Sequence, residues 1–167
     1  MARLIPTHVQ TVSPRRVFIA IPVPRELRAR IKKALERWQW LSVRWLPEHQ
    51  WHITVVPPFS VTEDTVLALQ ATLRRIAART KPFSITLDAL TLAPPNRRAR
   101  MIWASGPILQ RVQGLKEEIE RECAFEKIVP MSPRSASLHL PHITIARFGE
   151  GELSGLEEKT PILQKIV

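Results

Sequence analysis

The sequence predicts an α+β domain, internally duplicated into two lobes, with two antiparallel sheets forming a central cleft and helices packed outside. Three observations lead there. The order strand, proline turn, helix, loop, strand occurs twice, from Val17 to His52 over 35 residues and from Met101 to His142 over 41. The closing strand of each copy opens on one tetrad, His52-Ile53-Thr54-Val55 and His142-Ile143-Thr144-Ile145. A length of 167 residues with 44% apolar and 24% charged side chains suits one well-formed core, neither two domains nor a disordered chain. The domain is placed at residues 17–167, with pseudo-repeats at about 17–93 and 101–167. Residues 1–16 carry Pro6, Pro14 and no apolar period, and are expected to be a flexible basic leader.

In the first copy, Val17-Phe18-Ile19-Ala20-Ile21 is a β-rich run closed by Pro22 and Pro24, which suit a turn and a first helical residue. Leu27, Ile31, Leu35, Trp38 and Leu41 then recur at helical spacing, with Arg25, Arg28, Arg30, Lys32, Lys33 and Arg37 on the remaining, solvated faces. A strand from Trp51 to Val56 is expected to stop at Pro57 and Pro58. Thr62 precedes a second helix with Val66, Leu69, Leu73 and Ile76 on its apolar side. Phe83-Ser84-Ile85-Thr86-Leu87 alternates as a strand does, and residues 94–100 form a basic surface loop. In the second copy, Met101 to Ala104 is a strand and Gly106-Pro107 a turn. Ile108, Val112, Leu115, Ile119 and Cys123 then make a helical stripe. A loop with Pro130 and Pro133 leads to the strand His142 to Ile145, followed by a short helix near 153–159 and a strand at 162–167.

Composition narrows the function. There are 25 Lys and Arg against 15 Asp and Glu, a net charge of +10, and 18 of the 25 are arginine, the better phosphate binder. Residues 1–100 carry 17 basic and 6 acidic side chains, residues 101–167 carry 8 and 9, so one half makes the positive field. Nucleic acid is the natural polyanion for it. The lone Cys123 excludes an internal disulfide, a Cys-based metal site and C-x-x-C redox chemistry. No apolar run is long enough to span a bilayer and residues 1–16 lack a signal's apolar core, so a cytoplasmic address with no membrane partner is expected.

The two tetrads carry the chemistry. With five histidines in the chain, the odds of two such tetrads arising by accident are about 2 in 10,000. Strand parity puts His52 with Thr54, and His142 with Thr144, on one face, with the aliphatic residues turned to the core. Two imidazoles of ordinary pKa near 6.5 can hold one neutral and one protonated member near neutral pH, as paired general base and acid catalysis requires. A phosphodiester fits between them, with the threonine hydroxyls on its non-bridging oxygens, and the scheme demands no metal or other cofactor. His49 and His139 extend each motif to H-x-x-H, but residues three apart on a strand face opposite sides, against a four-histidine metal site. Trp38 is expected in the core, while Trp40, Trp45 and Trp51 fall near the cleft entrance, where any could stack on a base.

With these motifs the sequence resembles the 2H phosphoesterase superfamily, and within it the LigT family of RNA 2',3'-cyclic phosphodiesterases, also called 2'-5' RNA ligases. The resemblance covers about residues 16–148 and rests on Arg16-Val17-Phe18-Ile19-Ala20-Ile21-Pro22, Trp51-His52-Ile53-Thr54, Met101-Ile102-Trp103-Ala104 and Pro141-His142-Ile143-Thr144-Ile145-Ala146-Arg147, in family order. It implies opening of a terminal 2',3'-cyclic phosphate on RNA to a 2'-phosphomonoester, with reversible ligase activity. His52 would be the proton donor and His142 the proton acceptor, with Thr54, Thr144 and Arg147 on the phosphate. By parity Arg147 differs from Thr144, so it reaches the phosphate only if the strand bends or ends there. The alternatives are a non-catalytic RNA-binding module and a 2H phosphoesterase acting on a small cyclic nucleotide. The chain is expected to act as a monomer.

Overall fold

A computed structural model describes residues 14–95, 97–128 and 140–149. Its strands are β1 (Arg15–Pro22), β2 (Arg44–Trp45), β3 (His52–Val61), β4 (Ala89–Ala93), β5 (Met101–Ser105) and β6 (His142–Arg147). Its helices are α1 (Arg25–Leu35), α2 (Glu63–Arg79) and α3 (Gln110–Phe125). Most of the leader, the 129–139 loop and the helix and strand expected beyond 150 lie outside the described residues. Arg15 and Arg16, expected in the leader, already belong to β1.

The α+β class holds, but the two expected sheets are one. The described strands form a six-stranded antiparallel sheet in the order β1-β3-β6-β5-β4, with β2 also on β6. The inner strands of the two halves meet at one ladder pair, Ile53 opposite Ile143. Beyond that point β3 leaves β6, and β2 takes the vacated edge: Arg44 and Trp45 pair with Arg147 and Ala146, and Leu46 N–H donates to the Ile145 carbonyl. The join therefore makes one continuous sheet of the two halves.

Helices cover the opposite face. Ile31 and Leu35 of α1 pack on Ile53, Ile102, Ala104, Ile143 and Ile145, while Leu69 and Ile76 of α2 and Ile119 and Cys123 of α3 pack on Val55 and Val56. Burial of a side chain of this size contributes about 1.5–3 kcal/mol, so this apolar face fixes which side of each strand is left for chemistry. Arg75 with Glu126, and Arg79 with Glu118 and Glu122, tie α2 to α3. Among the described residues no helix is long and apolar enough to cross a membrane.

Four local expectations need correction. β3 runs through Pro57 and Pro58 to Val61, because both prolines sit in a register irregularity between Val17 and Ile19 of β1, where no ladder N–H is required. The segment 83–87 alternates in burial as expected but forms no ladder among the described residues, where the strand is β4. The first helical stripe is regular only to Leu35, after which a 3-10 turn carries Trp38 and a further bend returns Leu41 to the core. Ile108 lies before α3 and is half exposed, and Lys116 takes a buried place on that helix beside Glu120. Trp38 packs at the core margin as expected.

Candidate active site

Register explains how the sequence-predicted groups and their neighbours reach one cleft. Continuing the antiparallel register on either side of Ile53 and Ile143 brings His52 toward Thr144 and Thr54 toward His142. These four side chains line a single open cleft of about 470 Å³ together with Phe18, Arg44, Trp103 and Arg147, a size suited to a nucleotide end. Ile53, Val55, Ile143 and Ile145 are buried beneath it, as strand parity predicts.

Each strand is bulged at the matched position. Ala20 and Ile19 of β1 oppose Thr54 and Val56, leaving Val55 as the extra residue; Trp103 and Ile102 of β5 oppose Thr144 and Ala146, leaving Ile145. Two consecutive residues, Val55 with Val56 and Ile145 with Ala146, consequently turn into the core. After the bulge the parity is inverted, and this is what returns Arg147 to the face of Thr144 and into the cleft. The corresponding position in the first copy is Pro57, so the cationic group has no counterpart there.

Both imidazoles are held the same way. Nδ1 of His52 lies 2.6 Å from the Gln50 carbonyl and Nδ1 of His142 lies 2.8 Å from the Leu140 carbonyl. A carbonyl oxygen only accepts, so each Nδ1–H donates and each Nε2 is the nitrogen able to exchange a proton. An aromatic ring rests against each: Phe18 on His52 at 4.8 Å and a 35° tilt, Trp103 on His142 at 3.7 Å and 18°. Held by a hydrogen bond and a ring, each imidazole is preorganised in plane and tautomer.

Neither ring stands out in the sequence motifs. The available signal is parity: Phe18 and Trp103 are large aromatics that alternate with apolar neighbours, Val17 and Ile19 or Ile102 and Ala104, turned to the other face. The tryptophans expected near the entrance do not line this cleft. Trp51 is buried and donates its indole N–H to the Leu46 carbonyl, Trp45 packs against the core, and Trp40 is exposed elsewhere. Arg44 escapes sequence reasoning because a two-residue strand leaves no periodic pattern.

His49 lies in an exposed 3-10 turn before β3, outside the cleft, and His139 is outside the described residues. Among the described residues no three His, Cys, Asp or Glu side chains gather into a metal-binding group. Cys123 is remote from the cleft, in the α2–α3 core; burial first, and then the carboxylates of Glu126, Glu122 and Glu120, push its thiol up from its ordinary value and keep it neutral.

An antiparallel α+β sheet that presents two histidines, two threonines and an arginine to one open cleft defines a phosphoesterase-like protein. The chain belongs to the LigT-like phosphoesterase family, whose model matches residues 20–103, a span that includes the first histidine motif. It is 25% identical over 134 residues to the RNA 2',3'-cyclic phosphodiesterase of Aquifex aeolicus, across 80% of this chain and 69% of that one. It is 29% identical over 146 residues to the enzyme of the same name from Geobacillus stearothermophilus, across 81% of this chain and 42% of that one. Among solved structures it resembles TT0787 of Thermus thermophilus, with a TM-score of 0.63 at 23% identity over 80% of this chain and 74% of that one. It also resembles E. coli LigT complexed with 3'-AMP, with a TM-score of 0.58 at 22% identity over 81% and 73%. These two likenesses concern the fold.

Proposed function

We propose that the chain is an RNA 2',3'-cyclic phosphodiesterase that opens a terminal cyclic phosphate to a 2'-phosphomonoester by two-histidine acid-base catalysis, with no metal required. The observation that carries the reading is the matched tethering of His52 and His142, each with Nδ1–H committed to the carbonyl two residues upstream and each lining one cleft with a threonine. In the proposed step, water attacks phosphorus in line with the O3' leaving group. Nε2 of His142 takes the water proton as the new P–O bond forms, and Nε2 of His52 gives its proton to O3' as the P–O3' bond breaks. Thr54 and Thr144 donate to the non-bridging oxygens, and Arg147 offsets the charge that gathers on them. A ribose 5'-hydroxyl in place of water would form a 2'-5' linkage by the same two proton transfers, so ligase activity belongs to the same proposal.

The family and the names of the two relatives support the cyclic phosphate as substrate, and the arginine-rich first half supports RNA as its carrier. The deciding experiment incubates the protein with a short RNA ending in a 2',3'-cyclic phosphate, with and without EDTA, and identifies the product. A 2'-monoester formed at the same rate in both is expected. A 3'-monoester, or loss of turnover in EDTA restored by a divalent ion, overturns the mechanism. No turnover combined with RNA binding would leave a binding module instead.

A further inference from the structure

The cleft has two-fold-like chemistry but one-sided charge. Arg44 and Arg147 stand directly opposite each other in the β2–β6 ladder, both exposed and both lining the cleft. Like charges placed opposite on an antiparallel pair repel, and an unrelieved pair is unfavourable. Of the described arginines, three meet carboxylates, Arg15 with Glu63, Arg75 with Glu126 and Arg79 with Glu118. Among the described residues neither Arg44 nor Arg147 has such a partner. The first half offers nothing equivalent among the described residues, since Pro57 stands where Arg147 does and no short strand of the β2 kind lies along β3.

Two guanidiniums facing one open space suit two anions, the reacting phosphate served by Arg147 and a further one by Arg44. Arg147 stands three positions after Thr144, about 10 Å of strand that the bulge at Ile145 shortens, and Arg44 stands across the ladder from it, so Arg44 lies roughly one nucleotide away from the histidine-threonine centre. The next anion in an RNA end, counted from the cyclic phosphate, is the phosphate on the 5' side of the terminal nucleoside. We propose that Arg44 forms a second phosphate subsite that takes this 5'-phosphoryl group, with Arg147 across the ladder kept for the reacting phosphate, and that it sends the RNA out over the β2 and β6 end of the cleft. This assignment rests on the cyclic phosphodiesterase reading.

The test compares adenosine 2',3'-cyclic phosphate carrying a 5'-hydroxyl with the same compound carrying a 5'-phosphate, and measures KM for each. In parallel, binding of adenosine 2'-phosphate and adenosine 2',5'-bisphosphate is titrated by calorimetry, a readout independent of turnover. The parental protein should prefer each 5'-phosphorylated compound by about tenfold, a usual size for one charge-assisted phosphate contact. Arg44→Gln should bring both ratios close to one. Arg44→Lys, which keeps the charge but not the planar fork, should retain an intermediate preference. Arg30→Gln, on an exposed face of α1 away from the cleft, should keep both parental ratios. Equal ratios in the parental protein and Arg44→Gln, or an equal loss in Arg30→Gln, would overturn the subsite and reduce the effect to the general field. If neither cyclic compound is turned over while the bisphosphate preference still depends on Arg44, the catalytic reading fails and the anion subsite stands.

Discussion

Ile53 and Ile143 face each other across the two inner strands, and each directly follows a cleft histidine. Both are buried, at 5% and 0% exposure, so the ladder pair that joins the halves is also the floor beneath both imidazoles. Truncation should be felt twice. Ile143→Ala and Ile53→Ala are each expected to destabilise the protein by about 2–5 kcal/mol, and because the residues touch, the double variant should lose less or more than the sum by at least about 0.5 kcal/mol. Urea denaturation of the four-member cycle measures this; strict additivity would show that the two halves are packed independently.

His52→Ala and His142→Ala should each lower kcat by roughly 100-fold or more, the scale of one general acid or base, with far-UV dichroism unchanged. Because one imidazole must be protonated and the other neutral, kcat/KM of the parental protein should be bell-shaped in pH, and each variant should lose one limb. A single variant retaining the parental rate would remove that histidine from the chemistry.

Trp103 is stacked on His142, and its indole Nε1 is buried with no acceptor among the described residues. If the ring positions His142, it does so by this stacking and not through its N–H. Trp103→Leu should lower kcat by up to about tenfold, the worth of a ring-ring contact, with KM little altered. Trp103→Phe keeps a ring and discards the unpaired donor, so it should restore kcat and leave stability within about 1 kcal/mol of the parental protein. A Phe variant as slow as the Leu variant would show that the indole N–H matters after all.

Strands β1, β3, β5 and β6, the three helices and the histidine pair are legible from apolar spacing and from the repeated order. Apolar spacing marks α1, α2 and α3, and the recurrence of His-x-Thr-x in matched settings marks β3 and β6 as equivalent. What local pattern could not show is pairing. Alternation at 83–87 records which residues face inward, yet among the described residues the segment joins no ladder, while Asp88 N–H reaches the Ser105 carbonyl. A bulge leaves no periodic mark either: Val55-Val56 and Ile145-Ala146 read as ordinary apolar pairs, although they decide that Arg147 enters the cleft. The single ladder pair joining the halves, which makes one sheet of two, is likewise a long-range fact.

Gly106 and Gly114 make a contrasting pair of tests. A Cβ on Gly106 would lie 1.8 Å from the Thr86 carbonyl oxygen, so alanine there forces the backbone of two segments apart, whereas a Cβ on Gly114 in α3 meets nothing within 4 Å. Gly106→Ala should cost about 1–3 kcal/mol or more, and kcat should fall as well, since the adjacent Ser105 opposes His142 in the sheet. Gly114→Ala, in a helix interior, should stabilise by up to about 1 kcal/mol with activity untouched. Equal thermal midpoints for the two variants would contradict the close approach at Thr86.

The basic loop before β5 lies at the same end of the cleft as Arg44 and Arg147. Met101 opposes Arg147, the Arg100 carbonyl accepts from Phe148 N–H, and Arg97, Arg98 and Arg100 precede them in an exposed turn. If RNA leaves the cleft on this side, these cations neutralise phosphates upstream of the second subsite and release counterions, so binding should weaken steeply with salt. Such contacts hold ground and transition states alike, so a ten-nucleotide RNA should show a lower KM than a cyclic mononucleotide at low salt with nearly the same kcat. Arg97→Ala and Arg100→Ala should each reduce the slope of log KM against log salt by about 1 and leave turnover of the mononucleotide intact. A KM equal for both substrates at every salt concentration would show that the arginine-rich half is not a track, and a small cyclic nucleotide would then be the better substrate.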